Sequence, residues 1–168
     1  MLDSVKELVS HFDLLPHPEG GFYKELYRST GIIPKDALNP AFKGDRNYCT
    51  SIYFLLTSDN FSGFHRIQQD EIWHFYGGTT LLVHVIDPEG NYSCNHVGMD
   101  ITKGEAPQFV VPANSWFASE VKEANAYSFV GCTVAPGFDF EDFELADRKT
   151  LEQEYPAHAA VIGKLTRL

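Results

Sequence analysis

The chain has little positive charge. Of its 168 residues, 13 are Lys or Arg against 23 Asp or Glu, a formal net charge of -10. A nucleic-acid-binding face needs basic side chains to displace the counterions of the phosphates, so no nucleic-acid partner is expected. Cysteine is also scarce. Cys49, Cys94 and Cys132 are odd in number, widely spaced and form no C-x-x-C pair. That excludes a disulfide framework and fits reduced thiols in a reducing compartment. No apolar run approaches the roughly 18 residues of a membrane span. The opening segment MLDSVKELVSHFDLL lacks the basic start and apolar run of a secretory signal. The expectation is a cytoplasmic protein without a membrane partner. The length suits a single domain whose core needs no staples.

Aromatic residues are plentiful, at 14% with 13 Phe and 8 Tyr. Flat rings pack well on a pleated surface, which favours strands. An initial helix is expected within residues 1–15. Ser4 and Glu7 have the spacing of a capping box, Val5, Leu8, Val9 and Phe12 repeat at helical intervals, and Pro16 and Pro18 bring it to an end. The loop HPEGG (17–21) is either a lid hinged on its glycines or a rigid turn in which Gly20 and Gly21 take positive φ; the turn is the favoured reading. Short β-prone runs follow at 22–28, 50–56, 63–67, 71–76, 81–86, 91–97, 107–111, 115–119 and 126–134, separated by turn signals such as SDN, GG, DPEGN and PAN. Many short strands at this spacing predict an all-β sandwich or barrel over 22–135. Residues 139–168 return to short helices, near 148–154 and again further on. Seven acids between Asp139 and Glu154 face only Arg148 and Lys149, a pattern read as a solvated face and loop.

The chemistry-bearing stretch is SGFHRIQQDEIWHFYGG (62–78). It reads strand, tight turn, strand. Alternation puts His65 on one face with Ile67, and Glu71 with Trp73 and Phe75. A hairpin then brings His65 and Glu71 together. A carboxylate accepting the imidazole N–H fixes its tautomer and raises the basicity of the other nitrogen, which suits a general base near neutral pH. The alternative is a hydrogen-bonded polar pair without chemistry. Trp73 and Trp116 are candidates to stack on a ligand, with core filling as the competing reading. Gln68 is a further candidate ligand contact. Arg66 is expected on the opposite face in a surface ion pair, Phe64, Phe75 and Phe117 in the core, and Cys132 as a small buried residue. PGFDFEDF (136–143) reads as a turn with three Phe anchors, structural rather than catalytic.

The spacing of His65, Glu71 and Gly78 resembles the first cupin motif, G-x5-H-x-H-x3,4-E-x6-G, with Ile67 in place of the second His. Residues 112–117 resemble the second, P-x-G-x2-H, with Asn114 in place of the Gly and Phe117 in place of the last His. The blocks PHPEGG (16–21), SIYFLL (51–56), HRIQQDEIWHFYGG (65–78), VVPANSWFAS (110–119) and GCTVAPGFDFEDFELA (131–146) resemble cupin family 5, a domain of unknown function. The resemblance covers almost the whole chain. It implies a double-stranded β-helix (jelly-roll) barrel like that of deoxysugar epimerases, usually dimeric, with a small-molecule ligand in its mouth. Epimerases of this fold use a His base and a Tyr acid, which implies His65 for the first role and points to the strand tyrosines, Tyr53 among them, for the second. Cupin metals are typically held by three His and one Glu. Here His65 and Glu71 alone would hold a divalent ion, with His74 or Gln68 to fill in, although alternation puts His74 on the opposite face. Catalytic zinc sites normally keep three protein ligands. A metal-free isomerase or epimerase acting on a carbohydrate-like or nucleotide-sugar-like molecule, a weakly metal-dependent enzyme and a non-catalytic binding module all remain open.

Overall fold

The computed structural model describes residues 2–167. Helix α1 (Asp3–His11) starts two residues before a Ser4 cap would allow, with Leu2 at the N-cap position and no side chain capping it. The capping-box expectation therefore fails. Asp3 in the first turn supplies negative charge to the helix start instead, and bonds Lys6 at 3.0 Å. The helix also stops short of the prolines, before Asp13, whose φ of +51° leaves the right-handed region. Its apolar stripe behaves as expected. Val5, Leu8, Val9 and Phe12 pack with Leu14, Leu55 and Phe129.

Thirteen strands follow among the described residues. β1 (Leu15–Pro16), β2 (Phe22–Arg28), β5 (Thr50–Thr57), β7 (Asp70–Gly78), β10 (Gln108–Val111) and β12 (Tyr127–Ala135) form a six-stranded sheet in the order β1-β2-β5-β12-β7-β10. β6 (Phe61–Arg66), β8 (Leu81–Ile86), β9 (Tyr92–Val97), β11 (Trp116–Val121) and β13 (Glu144–Leu145) form a five-stranded sheet in the order β13-β6-β11-β8-β9. β3 (Ile32–Ile33) and β4 (Arg46–Asn47) pair separately. Every named pairing is antiparallel. The result is the all-β jelly roll that the sequence predicts.

Period-2 alternation divides the apolar residues into three layers. Phe54, Trp73, Val83, Phe117, Val130 and Cys132 belong to the core between the sheets. The outer face of the six-stranded sheet is covered by α1. The outer face of the five-stranded sheet, with Phe64, Ile86 and Trp116, is covered by Leu151 of α2 (Arg148–Glu154) and Ile162 of α3 (Ala159–Lys164). Asp147 caps α2 by accepting from the Thr150 N–H at 2.9 Å. Among the described residues no helix is long and apolar enough to cross a membrane, and Cys49, Cys94 and Cys132 are all free thiols.

Candidate functional site

A cavity of about 260 Å³ opens between the two sheets. His65 on β6 and Glu71 on β7 reach it from opposite sheets, joined by Ile67 from the connecting turn and Cys132 from β12. The same alternation that makes each strand amphipathic aims these side chains inward. Glu71 and Val134 are cross-strand neighbours, as are Trp73 and Cys132, so the Cys132 thiol lies close enough to donate to the Glu71 carboxylate.

The HPEGG loop completes the site. Gly20 and Gly21 have φ of +120° and +77°. A Cβ at Gly20 would lie 2.1 Å from the Phe61 carbonyl oxygen, and one at Gly21 2.7 Å from that of Leu55. The segment is thus the rigid turn, pressed onto the barrel, and not a hinged lid. It delivers Glu19, which is 8% exposed. Oε2 of Glu19 stands 2.6 Å from Nδ1 of His65 and accepts from Ser62 Oγ at 2.5 Å. Oε1 stands 3.0 Å from Nδ1 of His17. Arg167 bonds the Glu19 carbonyl at 3.0 Å and holds the loop from outside.

Nδ1 of His65 also faces the Gly63 carbonyl at 2.7 Å. Two acceptors meet that nitrogen, so it carries the proton. Nε2 has no partner among the described residues and is free to exchange a proton with a molecule in the cavity. The carboxylate orienting the imidazole is therefore Glu19, a residue the hairpin reading did not reach, rather than Glu71. Burial opposes charge on His65, but the field and hydrogen bond of Glu19, with Glu71 and Gly63 adding to them, outweigh it and raise the pKa. Burial likewise opposes charge on Glu19, yet His65, His17 and Ser62 hold its carboxyl below the usual range. Glu71 has weaker support. Burial, with Glu19 adding to it against the pull of His65 and Cys132, pushes it up to about 7. Burial and Glu71 raise the Cys132 thiol well above its ordinary value, so it is not a reactive thiolate.

The rim is built by β2 and by the segment after β12. Arg28 spans Glu25 with bonds of 3.0 and 2.8 Å and reaches Asn47 Oδ1 at 2.9 Å and the Phe138 carbonyl at 3.1 Å. Phe138, Phe140 and Phe143 form one wall beside Asp139. A buried anchor holds that segment. Arg46 grips Asp142 through two 2.7 Å bonds, and Gln69 adds a 2.8 Å bond to the same carboxylate. The acidic stretch is thus only partly a solvated face. Asp142 is buried, Asp139 lines the cavity, and Glu144 pairs with Arg66 at 2.8 Å.

Of the residues expected from sequence to act on, contact or ligate something bound, His65 and Glu71 line the cavity, whereas Trp73, Trp116, Tyr53, Gln68 and His74 do not. Trp73 points inward but is sealed in the core at 2% exposure, with Phe54 and Phe117 against its ring. Trp116 lies one position out of phase with the inner face, under the C-terminal helices, with the Arg66 guanidinium 4.4 Å from its ring centre. Tyr53 sits on the outer face against Phe12 and Phe129; the tyrosine that lines the cavity is Tyr23. Gln68 is half-buried away from the cavity, while its neighbour Gln69 anchors the wall. His74 faces outward, as alternation requires, and bonds Thr133 at 3.1 Å. Sequence reasoning missed His17, Glu19, Tyr23 and Asp139. The one local signal for the first two was a His and a Glu within a glycine-constrained turn, since loops on rigid scaffolds commonly carry function.

A cupin metal does not fit this donor set. The ring of Phe117, at the position of the last motif His, stands with its centre 4.0 Å from that of His65. Ile67 puts an apolar side chain at the second His position, and Nδ1 of His65 is committed to Glu19 and Gly63. Among the described residues no group of three or more His, Cys, Asp or Glu is arranged to hold an ion. Asn114 shows the motif geometry surviving without the chemistry, since it keeps the positive φ (+64°) of the Gly it replaces.

Similar proteins share the architecture. Protein SO0799 of Shewanella oneidensis superposes with a TM-score of 0.86 at 40% identity, over 99% of both chains. The uncharacterized protein YML079W of Saccharomyces cerevisiae is 33% identical over 150 residues, 83% of this chain and 73% of the yeast protein. Oxalate decarboxylase of Bacillus subtilis matches at a TM-score of 0.53 and 14% identity, over 89% of this chain and 36% of that one, a likeness of fold alone. The model of the family described as "Cupin superfamily (DUF985)" matches residues 6–146. With that match spanning most of its length, the chain belongs to this cupin family of unknown function.

Proposed function

We propose that the cavity binds a small, carbohydrate-like molecule and moves a proton on it without a metal, in the manner of an isomerase or epimerase. One observation carries the reading. His65, oriented through Nδ1 by Glu19, presents an unpartnered Nε2 to a cavity that Glu71 enters from the facing sheet. Proton abstraction next to a carbonyl needs one group to accept a proton and another to supply one, both positioned in advance. Glu19 favours the protonated form of His65, so in the resting site the imidazole is the donor and Glu71, titrating near neutrality, the acceptor. The roles exchange when the proton returns. This reverses the base assignment that the resemblance suggests for His65 while keeping the same pair. Tyr23, edge-on to His17 with ring centres 4.6 Å apart, lines the same cavity.

The test is solvent exchange. Keto sugars incubated with the protein in deuterium oxide should acquire deuterium at the carbon next to the carbonyl. The rate should rise as pH approaches 7 from below, where Glu71 ionises, and fall again above the raised pKa of His65. His65→Ala and Glu71→Gln should abolish exchange. Glu19→Gln should retain some and move the alkaline limb to lower pH. No exchange across a broad panel would leave the chain as a binding module.

A further inference from the structure

We propose that the molecule this cavity takes carries an ammonium group and no phosphate. The site must meet something polar, because Nε2 of His65, in a residue 3% exposed, has no partner among the described residues. The charge around it is one-sided. Four carboxylates line the cavity, those of Glu19, Glu25, Glu71 and Asp139, against one guanidinium, that of Arg28, and the imidazoles of His17 and His65. Arg28 has no fork to offer a phosphate. Its Nε and one terminal nitrogen hold both oxygens of Glu25, and the other terminal nitrogen serves Asn47 and Phe138. A phosphate would have to displace those bonds while approaching the remaining carboxylates. Glu19 is neutralised by His65, but among the described residues the Asp139 carboxylate accepts only from the Glu141 N–H, at 2.9 Å. Arg28 and Arg46 lie within its field without bonding it.

Beside Asp139 stand the rings of Phe138, Phe140 and Phe143, with centres 5.0 Å apart for the first pair and 6.0 Å for the last two. A carboxylate next to clustered aromatic rings is the lining that suits an organic cation. Size agrees. At about 260 Å³ the cavity lies just below the range of roughly 300–1,000 Å³ that holds drug-sized ligands, which suits a single amino-substituted ring better than a nucleotide-linked sugar. The inference deepens the proton-transfer reading only in naming what sits in the site; its charge argument stands without that reaction.

Glucosamine, N-acetylglucosamine, glucose and glucose 6-phosphate make a matched series for calorimetry at fixed ionic strength, with the His65 imidazole followed by NMR. Tetramethylammonium and inorganic phosphate serve as minimal probes. Glucosamine should bind about tenfold more tightly than glucose, from a partly desolvated cation over aromatic rings, and acetylation should remove the advantage. Glucose 6-phosphate should bind worse than glucose, and tetramethylammonium but not phosphate should shift the His65 signals. Asp139→Asn, which keeps an oxygen for the Glu141 N–H, should erase the preference for the amine over glucose. Glucose 6-phosphate binding as well as glucosamine, or neither glucosamine nor tetramethylammonium perturbing His65, overturns the inference. Amine binding without solvent exchange removes the proton-transfer reading alone. Exchange on neutral sugars with no preference for amines removes this one alone.

Discussion

Glu71 is the residue whose ionisation the fold supports least. Its carboxyl is raised from 4.5 to about 7, chiefly by burial. A raised carboxyl binds its proton more tightly in the folded chain than in the unfolded one. Its contribution to stability is therefore complete below pH 4.5 and is lost as pH rises through about 7. Glu71→Gln removes the titration while preserving an acceptor for the Cys132 thiol. Relative to the parent, the variant should gain on the order of 3 kcal/mol between pH 4.5 and pH 8, read from urea unfolding at the two values. A gap that does not change with pH would show that Glu71 is not held near neutrality. His65 and Glu71 were legible because their spacing follows a hairpin. Glu19 was not, because it meets His65 across 46 positions of sequence by tertiary approach. Trp73 and Trp116 show the opposite error: a ring on a strand near the site can be spent entirely on packing.

Among the elements, the segment from Gly137 to Leu145 has little regular structure and much to position. Its attachment is the buried fork of Arg46 on Asp142, supported by Gln69. Arg46→Ala would leave a buried carboxylate without its cation, which costs about 3–5 kcal/mol in comparable cases. The expected result is that loss of stability together with faster hydrogen exchange across residues 137–146. Unchanged exchange there would mean that the three phenylalanines hold the wall without the ion pair. The nine longer strands fall within two residues of their expected ends, because alternation and turn residues mark both their faces and their limits. β1, β3, β4 and β13 span two residues each, too few for any periodicity to show. The supposed cap at Ser4 shows the same limit at a helix end, where a shift of two residues changes the role of a side chain.

At the scale of the molecule, the six-stranded sheet has an open side. β1 covers β2 only at Phe22 and Tyr23, and a bulge between Glu25 and Tyr27 interrupts the remaining edge, where Leu26 and Tyr27 are more than half exposed. The dimer that the family resemblance implies would use this edge. Light scattering should then give about twice the 18.9 kDa chain mass, falling to one chain when Leu26 and Tyr27 are both changed to Lys. A monomer in the parent protein would end that expectation. Strand order was not legible, because pairing between distant strands is decided by packing rather than by local pattern. Arg167 bonds the carbonyl of Glu19 across 148 positions of sequence. The same carbonyl accepts from the Gly63 N–H at 3.0 Å on the barrel side, so a chain emerging from the ribosome has the inner hold on that turn long before residue 167 adds the outer one. Chains cut short of that arginine would hold the turn from one side alone, and its last freedom of movement would be lost only as synthesis passes residue 167.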